Sequence, residues 1–111
     1  MANTFKVKTK AGVTTLATVY TVPTTPATTI ILGLILGNTT ASGITATVTL
    51  SSNTADTESN ADVELVTNAP IPVGSSLEIL SGSKVVMQTT DILKVSASGA
   101  CDVALSILEM T

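Results

Sequence analysis

Ile44-Thr45-Ala46-Thr47-Val48-Thr49-Leu50 is the stretch that decides the fold. Ile44, Ala46, Val48 and Leu50 fall on one side of an extended chain, and Thr45, Thr47 and Thr49 on the other. An apolar residue at every second position is the mark of a strand with one face buried and one face wet. Thr is β-branched and favours strands, so even the polar side of this stretch argues against helix.

Working outward, the same pattern recurs in short pieces divided by turn residues. Phe5 and Val7 alternate with Lys6, Lys8 and Lys10 in a first strand with a basic face. Residues 16–22 form a second strand that ends at Pro23, with Thr24-Thr25-Pro26 as the turn. Residues 28–36 form a third. Residues 51–61 are polar and read as a solvated loop, followed by a strand over 63–67. Asn68-Ala69-Pro70-Ile71-Pro72 stops that strand and reads as an extended crossing segment, because two prolines one residue apart cannot both sit inside a sheet. Residues 77–80, 84–88, 92–97 and 103–110 complete the set, with Ser81-Gly82-Ser83 and Ser98-Gly99-Ala100 between strands. No stretch holds a helical period. The expected architecture is all-β: a single-domain antiparallel β-sandwich over residues 1–111, of jelly-roll topology, with about nine short strands.

Bulk composition agrees and narrows the function. A chain of 111 residues suits one domain. Hydrophobic residues at 44% predict a packed core, while charged residues at 12% leave solubility to Thr and Ser. The sequence has no His, no Trp and no Arg. The commonest general base and metal-binding nitrogen is therefore missing, and so is bidentate recognition of phosphate. A net charge of −3 gives no electrostatic drive toward nucleic acid or an anionic membrane. The start of the chain, through Phe5 and Lys6, does not read as a signal peptide, and the apolar run of residues 30–36 is too short to span a bilayer as a helix. A protein made in a cytoplasm is expected.

Candidate chemistry is thin. Asp56, Glu58, Asp62 and Glu64 could offer oxygens to a hard cation, but they lack calcium-loop spacing and read as a solvated acidic loop. Lys6, Lys8 and Lys10 share a strand face without Arg or interleaved aromatics, which reads as a solvated edge rather than a nucleic-acid site. Cys101 has no His to activate it and reads as a small buried hydrophobe. Asp91 and Asp102 precede apolar strands, where Asp closes turns. Tyr20 and Phe5 are too few for a sugar-stacking platform. The expectation is a non-enzyme with no cofactor and no metal.

One stretch breaks the two-layer pattern. Strict alternation over residues 28–36 puts Ile30, Leu32, Leu34 and Leu36 on one face and Ile31 and Ile35 on the other. A sandwich buries only one face of each sheet. Ile31 and Ile35 therefore become the candidate subunit interface, to be covered by a crossing segment such as residues 70–72 or by a neighbouring copy. A small aliphatic core without staples favours the copy, and a homo-oligomer is expected.

Tyr20-Thr21-Val22-Pro23, Leu34-Ile35-Leu36-Gly37-Asn38-Thr39-Thr40-Ala41, Asn68-Ala69-Pro70-Ile71-Pro72-Val73-Gly74-Ser75-Ser76-Leu77-Glu78, the spacing of Gly82, Lys84 and Asp91, and the closing Ser106-Ile107-Leu108-Glu109-Met110-Thr111 resemble small virion structural proteins of tailed bacteriophages, including marine and cyanobacterial ones. The resemblance implies a β-sandwich placed repeatedly on a particle, with the major capsid protein or other virion proteins as partners and no catalytic residues to carry over. It favours a capsid decoration or cement protein that stabilises the outer shell. A tail, baseplate or fibre-associated component is the alternative, and a carbohydrate-binding module is the reading outside that class.

Overall fold

The computed structural model describes residues 3–24, 28–52, 60–80 and 84–110. Nine strands account for most of them: β1 (Asn3–Val13), β2 (Ala17–Thr21), β3 (Thr28–Asn38), β4 (Ile44–Ser51), β5 (Val63–Ile71), β6 (Ser76–Ile79), β7 (Val85–Gln88), β8 (Ile92–Ala97) and β9 (Cys101–Met110). Sheet A has the order β1-β9-β3-β6, with β7 also pairing β3, and sheet B has the order β2-β8-β4-β5. Every pairing is antiparallel.

The strand order has a simple origin. β1 pairs β9, β2 pairs β8, β3 pairs β6 and β7, and β4 pairs β5. The chain is thus one long antiparallel ribbon, doubled back at the β4–β5 link and rolled so that successive pairs alternate between two sheets. That is jelly-roll topology, and the expected β-sandwich is the fold of this protein. β6 and β7 share one place in it: β7 lies against Thr28–Ile31 and β6 against Leu34–Gly37.

The core lies between the sheets and is almost wholly aliphatic. Val48, Leu93 and Val95 fill it from sheet B, and Ile31, Leu34, Leu36, Leu105 and Ile107 from sheet A, all essentially free of solvent. In β4, Ile44, Ala46 and Val48 point inward while Thr45, Thr47 and Thr49 point out, as the alternation requires.

Two expected details are overturned. β5 does not stop at Thr67 but runs on to Ile71, with Pro70 opposite Thr45. β5 is the edge of sheet B, so Pro70 removes no ladder donor that a further strand would need. Asn68, with φ of 47°, sits where the register shifts and absorbs the irregularity. Pro72 lies outside the strand, and Ile71 is buried in the core.

The second correction concerns β3. Its register against β9 shifts between Ile31 and Gly33, so Leu32 is an extra residue in a β-bulge. One extra residue reverses the alternation. Thr29 and Ile31 point inward before the bulge, and Leu34, Leu36 and Asn38 point inward after it. Ile31 is therefore 0% exposed within the chain's own core, whereas Ile35 is 44% exposed on the outside. The two do not share a face, and Ile31 is not a subunit-interface residue.

Candidate functional site

The bulge rearranges the outside of sheet A as well as the core. Residues directly opposite in an antiparallel ladder point to the same face. Phe5 lies opposite Leu108, Leu108 opposite Ile30, and Ile30 opposite Val86. One apolar row therefore crosses the four strands β1, β9, β3 and β7 on the face turned away from the core. Phe5 is 72% exposed and Val86 60%. Val7 and Ile35 lie on the same face, further along their strands, and are also exposed. Sheet B is different: its outer face carries Thr45, Thr47, Thr49, Lys94 and Ser96. A shallow depression there is lined by hydroxyl and amide side chains, among them Thr14, Thr47, Asn68 and Ser98.

Inside the sandwich lies a polar cluster that sequence reasoning missed. Tyr20, on β2, reaches across from sheet B, and its hydroxyl donates to Glu109 Oε2 at 2.6 Å. With its one proton so placed, the hydroxyl accepts from Thr29 Oγ1 at 2.8 Å. Glu109 Oε1 pairs with Lys6 Nζ at 2.8 Å. Thr29 and Glu109 are direct cross-strand neighbours on β3 and β9. The chain Thr29, Tyr20, Glu109, Lys6 thus ties the two sheets together through a carboxylate only 5% exposed.

The electrostatics follow from this geometry. Burial, reinforced by the bond to Glu109, pushes the Tyr20 phenol up to about 12. The hydrogen bond from Lys6, then that from Tyr20, holds the Glu109 carboxyl below its ordinary value. A phenol that keeps its proton and a carboxylate that keeps its charge suit a structural tie, and no acid and base are matched here near neutral pH.

The lysines of β1 stand on the edge strand of sheet A, as expected, with Lys6 and Lys10 exposed. Lys6, Lys8 and Lys10 lie opposite Ile107, Leu105 and Val103, so they share the core-facing side of sheet A at its edge. Lys6 closes the buried cluster instead of forming part of a free basic face.

The remaining candidates occupy structural positions. Cys101 is buried and free of disulfide, its thiol pushed up chiefly by burial and turned toward the Asp102 carbonyl. Asp91 closes the turn before β8, accepting from the Gln88 amide at 3.0 Å and from Ser52 Oγ at 3.1 Å. Asp102 lies within β9 rather than before it, and its Oδ1 accepts from the Gly12 amide at 3.0 Å where β1 bulges. Asp62 accepts from Ser51 Oγ and Glu64 from Thr67 Oγ1. Asp56 and Glu58 lie outside the described residues. Among the described residues, no three metal-ligating side chains come together, and no helix is long and apolar enough to cross a membrane.

A second buried polar group organises the β3–β4 turn. Asn38 Nδ2 donates to the carbonyls of Ser42 at 2.8 Å and Ile71 at 3.0 Å, while its Oδ1 accepts from the Thr40 amide at 2.8 Å. One side chain thus fixes the turn and docks it on the end of β5.

No family model and no curated protein matches the chain. Among solved structures, it is similar to a chain from Bacillus endospore appendages, described as a novel family of disulfide-linked pili. The identity is 13% and the TM-score 0.42, over 98% of this chain and 87% of that one.

Proposed function

We propose that this protein is a structural component of a bacteriophage virion, a decoration or cement protein that reinforces the capsid by bridging neighbouring shell subunits. The observation that carries this reading is the outer face of sheet A. Phe5, Val7, Val86 and Ile35 stand exposed together on one sheet face. Clustered exposed apolar side chains of this kind mark a surface that is covered in use. The sequence resemblance to phage virion proteins supplies the setting.

The chemistry of the rest of the molecule suits a passive role. Its polar clusters tie sheets and turns together, and its other outer face is largely hydroxyl-bearing. A cement protein acts through many modest contacts repeated by symmetry, which together raise the force needed to open a shell. Contacts made by uncharged groups also lose little when salt screens charge. The carbohydrate-binding reading has less support: Tyr20 is spent in the interior, and Phe5 lies on the opposite sheet from the hydroxyl-lined depression.

Particles lacking the gene should assemble but release DNA at lower temperature or after milder osmotic shock than wild-type particles. Adding back purified protein should restore the difference. Particles that are as robust as wild type yet fail to attach to cells would instead assign the protein to the tail.

A further inference from the structure

The apolar row on sheet A has a property that singles out what covers it. It runs Phe5, Leu108, Ile30, Val86 across four adjacent strands, with the largest side chain at one sheet edge and a small branched one at the other. The row of Asn3, Met110, Thr28 and Gln88 flanks it on one side, and Val7 with Ser106 on the other. None of these residues is charged. The first carboxylates on this face, Glu78 and Asp102, stand at its far end beside Ile35 and Gly37.

We propose that a second copy of this chain covers this face, sheet A packing on sheet A about a twofold axis that lies in the interface, parallel to the strands, between β9 and β3. That axis reverses the row. Phe5 of one copy then faces Val86 of the other, and Leu108 faces Ile30, so the row is complementary to itself in size. Four strands ~4.8 Å apart and roughly eight residues long at ~3.3 Å each make a face of roughly 500 Å² in projection. Two such faces bury about 1,000 Å², which reaches the lower limit of a specific interface and predicts a reversible dimer. The chemistry also favours a copy over a foreign partner. Homodimer interfaces are the more apolar class, whereas selection of a different protein draws on complementary charge, which these rows lack.

This inference rests on the proposed function's premise that the face is covered, and commits to the occupant: paired through sheet A, two copies turn their sheet B faces outward, and those faces would meet neighbouring shell subunits. It is tested on the isolated full-length protein, so its failure is separate from failure of the particle experiment. Sedimentation velocity over a wide concentration series should show a monomer–dimer equilibrium. Phe5→Glu should weaken dimerisation roughly tenfold or more, as should Val86→Glu, each with an unchanged circular dichroism spectrum. Thr47→Glu, on the outer face of sheet B, should change the dissociation constant less than about twofold. If Phe5→Glu impairs folding, the Val86→Glu result decides. A wild-type protein that stays monomeric at the highest concentration would overturn the dimer, and so would equal weakening by Thr47→Glu.

Discussion

The Tyr20 hydroxyl donates a hydrogen bond to Glu109 Oε2 at 2.6 Å across the interior of the sandwich, joining residues 89 positions apart in the chain. An aliphatic core holds two sheets together without fixing how they slide on one another. A directional bond between β2 and β9, extended to Thr29 and Lys6, fixes one relative position. Its members are satisfied, and among the described residues no buried side-chain nitrogen or oxygen lacks a partner.

Tyr20→Phe should therefore destabilise the fold well beyond the loss of a surface hydroxyl. The variant keeps the ring but leaves Glu109 Oε2 without its donor in a buried site, at an expected cost of about 1–3 kcal/mol. Urea unfolding should show a lower midpoint with an unchanged slope. A loss smaller than about 0.5 kcal/mol would mean that water or Thr29 replaces the bond.

Acid should attack the same cluster. Because the native Glu109 carboxyl lies below its ordinary value of 4.5, its contribution to stability is complete above that value and is lost as pH falls through the lower native one. Lys6→Met removes the principal cause of the lowering. The variant should therefore lose stability less steeply with acid than wild type does, although it starts from a lower value at neutral pH. Equal slopes in the two proteins would remove Glu109 from the acid response.

Alkali gives the opposite sign. Tyr20 is raised from 10.0 to about 12, so its contribution is intact below pH 10.0 and is lost as pH rises through about 12. Tyr20 is the chain's one tyrosine, and the chain has no tryptophan. Its near-ultraviolet phenolate absorbance can therefore be followed without interference. The native protein should titrate near 12 and the urea-unfolded protein near 10.0. A native midpoint at the unfolded value would contradict the buried hydroxyl.

Ile31 and Ile35 should respond very unequally to the same change. Ile31→Thr puts a hydroxyl into a site with no exposure, and should cost about 2–4 kcal/mol in lost apolar burial and polar desolvation. Ile35→Thr, on the outer face, should stay within about 0.5 kcal/mol for the isolated chain. Comparable losses at both positions would mean that the β3 bulge is misplaced.

Gly99→Ala tests the packing of the β8–β9 turn. A Cβ at Gly99 would lie 2.7 Å from Cγ2 of Ile44 and 3.3 Å from Cγ2 of Thr40. Both neighbours are β-branched and stiff, so relief requires the turn itself to move. The expected cost is about 1–3 kcal/mol, read from thermal or urea melts.

The strand count and the fold class were legible in the sequence because they rest on local quantities. The alternation of Ile44 to Leu50, the β-branched Thr content and the turn residues each act over a few positions, and β8 has the bounds the pattern predicts. Asp91 likewise closes a turn, as its place before an apolar run implied. What the sequence left undecided was the facing of β3. Strict alternation put Ile31 outside with Ile35, and a single extra residue at Leu32 reversed it. Gly33, an isolated glycine inside an apolar strand, was the local signal of that bulge. Whether the strand takes the bulge depends on its ladder with β9, some 70 residues away, so only the tertiary structure settles it. The same holds for the cluster of Tyr20, Thr29, Glu109 and Lys6. Each residue is unremarkable in its own segment, and Lys6 looked like part of a solvated basic face. They meet because the rolled ribbon brings the two ends of the chain into adjacent strands and sets β2 across from them. Side-chain period is a property of one strand and can be read from it, whereas register and the opposition of sheets are relations between strands distant in sequence, fixed only when the whole core packs.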